Sequence, residues 1–282
     1  MAHLHRLGAE TEIQHVRMPG DGAVLAQAAA AHWASGGEDA PTRLVVAGGD
    51  GTFNDVINGL AGALMPVAFL PLGTANVLAY ELHLPKDPAA LARIILDGTA
   101  RLAHTGRVNG RLFILMAGIG IDAEVCERID RRSKAVFRKG AYVKVTIDRW
   151  FAYFPRRYRI VVDGVVHYAA SAVVTNAGHY AGPFLIAPDA SLDTPELHVC
   201  LYLTPGRMSV IRYGLGMITG RLSGMADYKV VSGRTITIQA DDGLKSALGG
   251  VEADPVQADG DVVTHLPAEI SLADEQVMLV RR

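Results

Sequence analysis

Two textures of apolar and polar positions divide the chain. From about Ala23 to Leu102, short unbroken apolar runs alternate with alanine-rich or amphipathic stretches. Ala23–Ala34 predicts a helix on its alanines, which are strong helix formers, and Ser35-Gly36-Gly37 stops it. Arg43-Leu44-Val45-Val46-Ala47 is a β-type run without polar alternation, the pattern of a strand covered on both faces. Glycines follow, then helical spacing from Phe53 to Leu60. Val67–Leu70 predicts a second buried strand, again followed by glycine and a helical run, Ala75–Leu82. Pro88–Leu96 predicts a further helix, closed by Asp97-Gly98. Strand, glycine turn and helix, twice over, imply a parallel sheet flanked by helices.

Beyond about Gly106 the runs become short and β-rich: Arg111–Ala117, Tyr158–Val162, Ala172–Thr175, Leu197–Leu203, Thr235–Gln239 and Val277–Val280. Asp163-Gly164, Asp242-Gly243 and Asp259-Gly260 punctuate them as turns. Helical stretches at about Asp122–Trp150 and Ser209–Thr219 interrupt. This half reads as an antiparallel sandwich or barrel with helical insertions. The expected domains are therefore 1–105, α/β, and 106–282, all-β with a helical insertion.

Composition narrows the classes. The 282 residues carry 27 Lys+Arg against 29 Asp+Glu, a net charge of −2. A wholly basic nucleic-acid-binding surface is thereby excluded, and no nucleic-acid partner is expected. Half the residues are hydrophobic and 20% charged, as in a globular chain. Mean hydropathy is +0.21, yet no apolar run reaches the ~18 residues of a bilayer span. Two cysteines, Cys126 and Cys200, make no disulfide framework and suit a reducing compartment. With no signal-peptide hydrophobic segment after Met1, the expected location is cytoplasmic.

Chemistry concentrates in the glycine turns. Val45-Val46-Ala47-Gly48-Gly49-Asp50-Gly51-Thr52 runs from a strand through three glycines into a helix. Glycines let backbone N–H groups approach an anion, and the helix N-terminus adds positive potential. Thr52 suits an N-cap. An aspartate among anion-binding amides makes sense where a divalent cation lies between it and the phosphates; otherwise Asp50 is a cap and the glycines are geometry. Leu70-Pro71-Leu72-Gly73-Thr74-Ala75-Asn76 repeats the arrangement one strand later. Two neighbouring strand ends of this kind would form one anion-binding cleft.

Gly48-Gly49-Asp50-Gly51-Thr52 resembles the GGDGT signature shared by diacylglycerol, sphingosine and NAD kinases and phosphofructokinases. Pro71-Leu72-Gly73-Thr74-Ala75-Asn76 resembles the second signature of the diacylglycerol kinase catalytic-domain family alone. Gly118-Ile119-Gly120-Ile121-Asp122-Ala123 and Gln257-Ala258-Asp259-Gly260-Asp261 are similar to two further blocks of that family, in its order. The resemblance implies an ATP-dependent lipid kinase with an α/β nucleotide domain, a β-sandwich lipid domain and the nucleotide in the cleft between them. It implies that Gly48, Gly49, Gly51, Thr52, Gly73, Thr74 and Asn76 bind the nucleotide. Asp50 and Asp261 would serve Mg²⁺, and Asp259 would be the general base for the hydroxyl of diacylglycerol or a related lipid. On its residues alone, Asp259-Gly260 reads as a hairpin turn.

The chain departs from the family pattern at several positions. DGE is Asp259-Gly260-Asp261 here, Val77 stands where many members have aspartate, and His104 replaces another. The turn Asp189–His198 keeps Asp193 but has Thr194 and His198, so no structural metal is expected there. The family's opening strand and Asn-Pro-x-Ser-Gly turn have no counterpart before His15, so the first strand is expected to be missing. Between Arg128 and Arg159 stand eleven basic residues against Asp130 and Asp148, with Phe137, Tyr142, Trp150, Phe151, Tyr153 and Phe154 interleaved. Residues 128–159 are thus a candidate peripheral membrane contact, or a solvated face over core aromatics. A homodimer stays open. The rival readings are an NAD kinase, disfavoured by Gly73-Thr74-Ala75-Asn76 and Asp259-Gly260-Asp261, and a nucleotide- or lipid-binding homologue impaired in catalysis, motivated by Val77, His104 and the expected loss of the opening strand.

Overall fold

A computed structural model describes residues 2–120, 123, 126, 156–241 and 254–282. The chain forms two compact units, residues 1–105 with 273–282, and residues 106–272.

Unit 1 is α/β. Helices α1 (Ala2–Arg6) and α2 (Asp21–Ser35) precede β1 (Leu44–Gly48), α3 (Asp50–Leu60), β2 (Val67–Pro71), α4 (Val77–Glu81), α5 (Pro88–Asp97) and β3 (Thr99–Ala103). α2 stops where expected: Gly36 follows it at φ 64°, a left-handed cap that glycine adopts without strain. β1 and β2 pair in parallel from Leu44↔Val67 to Gly48↔Pro71. Helices cover both faces of β2. Phe69 meets Phe53 of α3 edge to face, with centroids 5.4 Å apart. Ala68 packs in a cluster with Leu91, Ala92 and Ile95 of α5 and Leu4 of α1.

Two expectations change here. β1 is not covered on both faces: Val46 is buried but Val45 and Ala47 are exposed, because β1 is the sheet's edge strand. The run at Val277–Val280, expected in the second domain, is β18 (Val277–Arg281) of unit 1. It lies between β2 and β3, parallel to the first and antiparallel to the second. Its short apolar run marks it as a strand; only long-range pairing decides which sheet it joins.

Unit 2 is two six-stranded antiparallel sheets. One runs β13-β12-β9-β6-β15-β16: Tyr228–Gly233, Leu197–Tyr202, Ser171–Thr175, Met116–Ile119, Pro255–Ala258 and Asp261–His265. The other runs β5-β4-β17-β14-β7-β8: Arg111–Phe113, Gly106–Val108, Ala268–Leu272, Thr235–Ala240, Tyr158–Val162 and Val165–Ala169. One core fills the space between them, with Tyr158, Ile160, Val174, Leu197, Val199, Ile238 and Val256 all buried. A small hairpin, β10 (His179–Tyr180) and β11 (Phe184–Leu185), and helix α6 (Arg207–Ile218) complete the unit.

Three hairpins of unit 2 turn on two residues that are both at positive φ: Asn109-Gly110, Asp163-Gly164 and Asp259-Gly260. That is the geometry whose twist matches adjacent strands and that selects Asn-Gly and Asp-Gly. In each, the Asn or Asp side chain also accepts a backbone N–H from a neighbouring segment: Glu269, Arg234 and Thr235, or residues 114–116. Asp242-Gly243, the predicted helix over 122–150 and most of the basic segment lie outside the described residues.

Candidate functional site

The two glycine turns of unit 1 touch. The Gly48 carbonyl at the end of β1 accepts the amides of Leu72 (2.8 Å) and Gly73 (3.1 Å). A Cβ on Gly73 would lie 2.5 Å from the Gly49 Cα, and one on Gly48 would lie 2.8 Å from the Thr52 side chain. Neither Gly48, Gly49 nor Gly73 has positive φ; their missing side chains permit backbone contact. Gly51 and Thr52 stand in the first turn of α3, and no side chain caps that helix. Its first amides therefore depend on solvent or a ligand, and they carry the positive end of the helix dipole. Leu72, Gly73, Thr74 and Ala75 are exposed.

Asp50 binds the turns together. Its carboxylate accepts the amides of Val77 (3.0 Å) and Leu78 (3.1 Å) at the start of α4. Burial raises its pKa above the ordinary carboxylate value, and the amides of Leu78 and Val77 partly offset this. Val77, where the family pattern often has aspartate, is buried and engages through its backbone. Asn76 caps α4 at φ 48° and donates Nδ2 to the Gly73 carbonyl at 2.9 Å. Its Oδ1 is buried without a hydrogen-bond donor, an acceptor suited to a ligand N–H, hydroxyl or water. His104 bonds the Gln276 side chain at the far end of the sheet.

Unit 2 joins the other two blocks. Gly118 of β6 pairs with Gln257 of β15, and Asp259 follows two residues later in the β15–β16 turn. Asp259 is only 5% exposed. Its carboxylate accepts the amides of Ile114 (2.9 Å), Leu115 (3.0 Å) and Met116 (2.9 Å). The hairpin reading of Asp259-Gly260 thus holds for the backbone, while the side chain turns inward. Asp261, half-buried, opens β16.

Two buried polar residues escaped sequence reasoning. Thr175 donates its hydroxyl to the Leu115 carbonyl, and Asn176 donates Nδ2 to that of Ile114. With Asp259 on the amides, they hold residues 114–116 from both sides. The available signal was a Thr-Asn pair directly after the apolar Ala172-Val173-Val174.

In the Asp189–His198 turn, His198 is buried and lines a cavity of about 230 Å³ with Asp189, Ser223 and Tyr228. Among the described residues, no three His, Cys, Asp or Glu side chains cluster as a metal site. Cys200 is a packing residue, its thiol pushed up to about 12 by burial. Of the basic segment, Arg156 pairs with Asp254, and Arg157 pairs with Asp241 (3.3 Å) and stacks over Tyr168. No helix among the described residues is long and apolar enough to cross a membrane.

Comparison with known proteins matches residues 1–108 to the diacylglycerol kinase catalytic domain. Residues 116–281 match the YegS C-terminal NAD kinase beta sandwich-like domain. A diacylglycerol kinase of Mycobacterium tuberculosis (strain H37Rv) is 28% identical over 84% of this chain and 76% of its own length. A probable YegS-like lipid kinase of Pseudomonas fluorescens is 30% identical over 82% of this chain and 79% of its own. The crystal structure of a putative diacylglycerol kinase from Bacillus anthracis superposes with TM-score 0.75 at 23% identity, covering 96% of this chain and 84% of that one, and shares its fold.

Proposed function

The chain belongs to the diacylglycerol kinase and YegS-like lipid kinase family and is a kinase, and on that premise we propose that it transfers the γ-phosphate of ATP to the hydroxyl of diacylglycerol or a related lipid. The observation that carries this reading is the contact between the Gly48–Thr52 and Gly73–Asn76 turns beside the uncapped start of α3. Backbone amides without Cβ obstruction at a helix N-terminus suit a polyphosphate.

In the proposed reaction, the amides of Gly49, Gly51 and Thr52 and the Thr74 hydroxyl hold the phosphates, and Asn76 accepts from the nucleotide or its water. The Asp259 carboxylate takes the proton of the lipid hydroxyl as that oxygen bonds to the γ-phosphorus and ADP leaves. Alignment and charge neutralisation supply most of such catalysis. Mg²⁺ would neutralise the phosphates, with Asp50 and Asp261 as the protein carboxylates assigned to it. The donor set is compatible in kind, since Mg²⁺ keeps several waters and needs only one or two carboxylates beside phosphate oxygens. Asp50, with two amides on its carboxylate, would act through such a water.

The three amides on Asp259 also suit a purely structural carboxylate, which favours the impaired homologue as the second reading. One assay separates them: labelled ATP with a panel of diacylglycerol, phosphatidylglycerol, sphingoid base and polyprenol in micelles, with NAD alongside. Transfer to a lipid is expected. Asp259→Asn should lower kcat by about 10²–10⁴-fold, the usual weight of a general base, with the fold retained by circular dichroism. ATP binding without transfer to any acceptor would support the impaired homologue, and transfer to NAD alone would support an NAD kinase.

A further inference from the structure

Helix α6 carries an apolar stripe that the described residues of unit 2 leave exposed. Met208 is 72% exposed, Ile211 40%, Leu215 57% and Ile218 61%, whereas Tyr213 and Gly216 are buried. At 3.6 residues per turn the four exposed positions share one side of the helix, with Arg207 and Arg212 at its two margins. An ordinary surface helix buries its apolar side and shows charge to solvent. Here the inward side is held independently. The Tyr213 hydroxyl donates to Asp227 at 2.7 Å and accepts the Thr204 amide, and its ring packs on Tyr202. The outward stripe is therefore not needed to seat the helix.

In the sequence around α6 the charge has one sign. From Leu197 to Ala226 the chain has no Asp or Glu, while Arg207, Arg212 and Arg221 are exposed. The nearest carboxylate in sequence, Asp227, pairs with Arg212. An apolar stripe edged by arginines is the composition of a helix lying in a bilayer interface. The arginine margin, rather than the apolar stripe alone, points to a lipid surface over a second copy, whose docking is one outcome of the test below.

We propose that α6 docks on an anionic bilayer, placing Met208, Ile211, Leu215 and Ile218 at the headgroup–acyl boundary and the exposed Arg207 and Arg221 against lipid phosphates. The role rests on the lipid-kinase reading for its purpose, but the vesicle-binding measurements that decide it need no ATP, so either can fail alone.

The full chain is sedimented with phosphatidylcholine vesicles with and without phosphatidylglycerol. Binding is expected only with the anionic lipid, and it should weaken with salt. Leu215→Ser/Ile218→Ser, folded by circular dichroism, should bind about tenfold or more weakly. A matched removal of exposed apolar surface on β8, Val165→Ser/Val166→Ser, should change nothing. Turnover of a water-soluble short-chain acceptor should be the same in the α6 variant and the wild type. No wild-type binding, equal binding by the α6 double variant, or a dimer that this variant abolishes without loss of vesicle binding would each overturn the assignment.

Discussion

Gly73 illustrates how one side chain can decide the candidate site. A methyl group there would meet the Gly49 Cα at 2.5 Å and the Asn76 Oδ1 at 2.7 Å. Backbone cannot swing aside as a lysine tip can. Gly73→Ala should therefore destabilise unit 1 by about 1–3 kcal/mol, the cost of overpacking, and weaken nucleotide binding in calorimetry. Gly49→Ala, at 3.3 Å from the Gly73 Cα, should do less. Asp163 gives a pH-dependent counterpart. Hydrogen bonds from the Thr235 hydroxyl and the amides of Thr235 and Arg234 hold its pKa below the ordinary value. Its stabilisation is present above the unfolded-state value of about 3.9 and is lost as pH falls through the lower folded value. Denaturant titrations across that window should show a shallower acid slope in Asp163→Ala, with stability near neutrality reduced by no more than about 1 kcal/mol because solvent screens the exposed carboxylate. Asp50 has the opposite sign: its raised pKa makes its share of stability greatest in acid and lost as pH rises through the folded value.

Between elements of unit 1, α2 and α3 approach closely. A Cβ on Gly59 of α3 would sit 2.1 Å from the Ala23 carbonyl oxygen of α2. Replacing a helical glycine by alanine gains about 1 kcal/mol in propensity. At that distance the clash should win, and Gly59→Ala should lower the melting temperature rather than raise it. Elements were legible in the sequence wherever local pattern determined them. α2, β2 and α5 fall close to their predicted bounds because alanine content, an unbroken apolar run and a proline start are local signals. Arg111–Ala117 was not legible as two strands. It divides into β5 and β6 because Ile114 and Leu115 turn their amides to Asp259, which lies 144 residues from Leu115, and nothing in the apolar run announces that partner. The adjacency of the two glycine turns was readable from their repeated strand–glycine–helix setting. The clamping of Asp50 onto α4 was not, since an aspartate after two glycines reads equally as a metal ligand or a cap.

At the scale of the whole molecule, unit 1 is discontinuous and unit 2 is one segment. Leu279, fully buried in β18, pairs with both Val67 of β2 and Arg101 of β3. Leu279→Ala should cost about 2–5 kcal/mol, and hydrogen exchange should show the loss in β2 and β3 while β9 and β12 keep their protection. The late strand also has a consequence for biosynthesis. A ribosome delivers residues 106–272 as an unbroken stretch, whereas the two glycine turns wait on a sheet whose inner strand emerges only after that stretch. Nascent chains would then carry a completed sandwich beside an α/β half with an open seam, and chaperones or proteases would act on that half first.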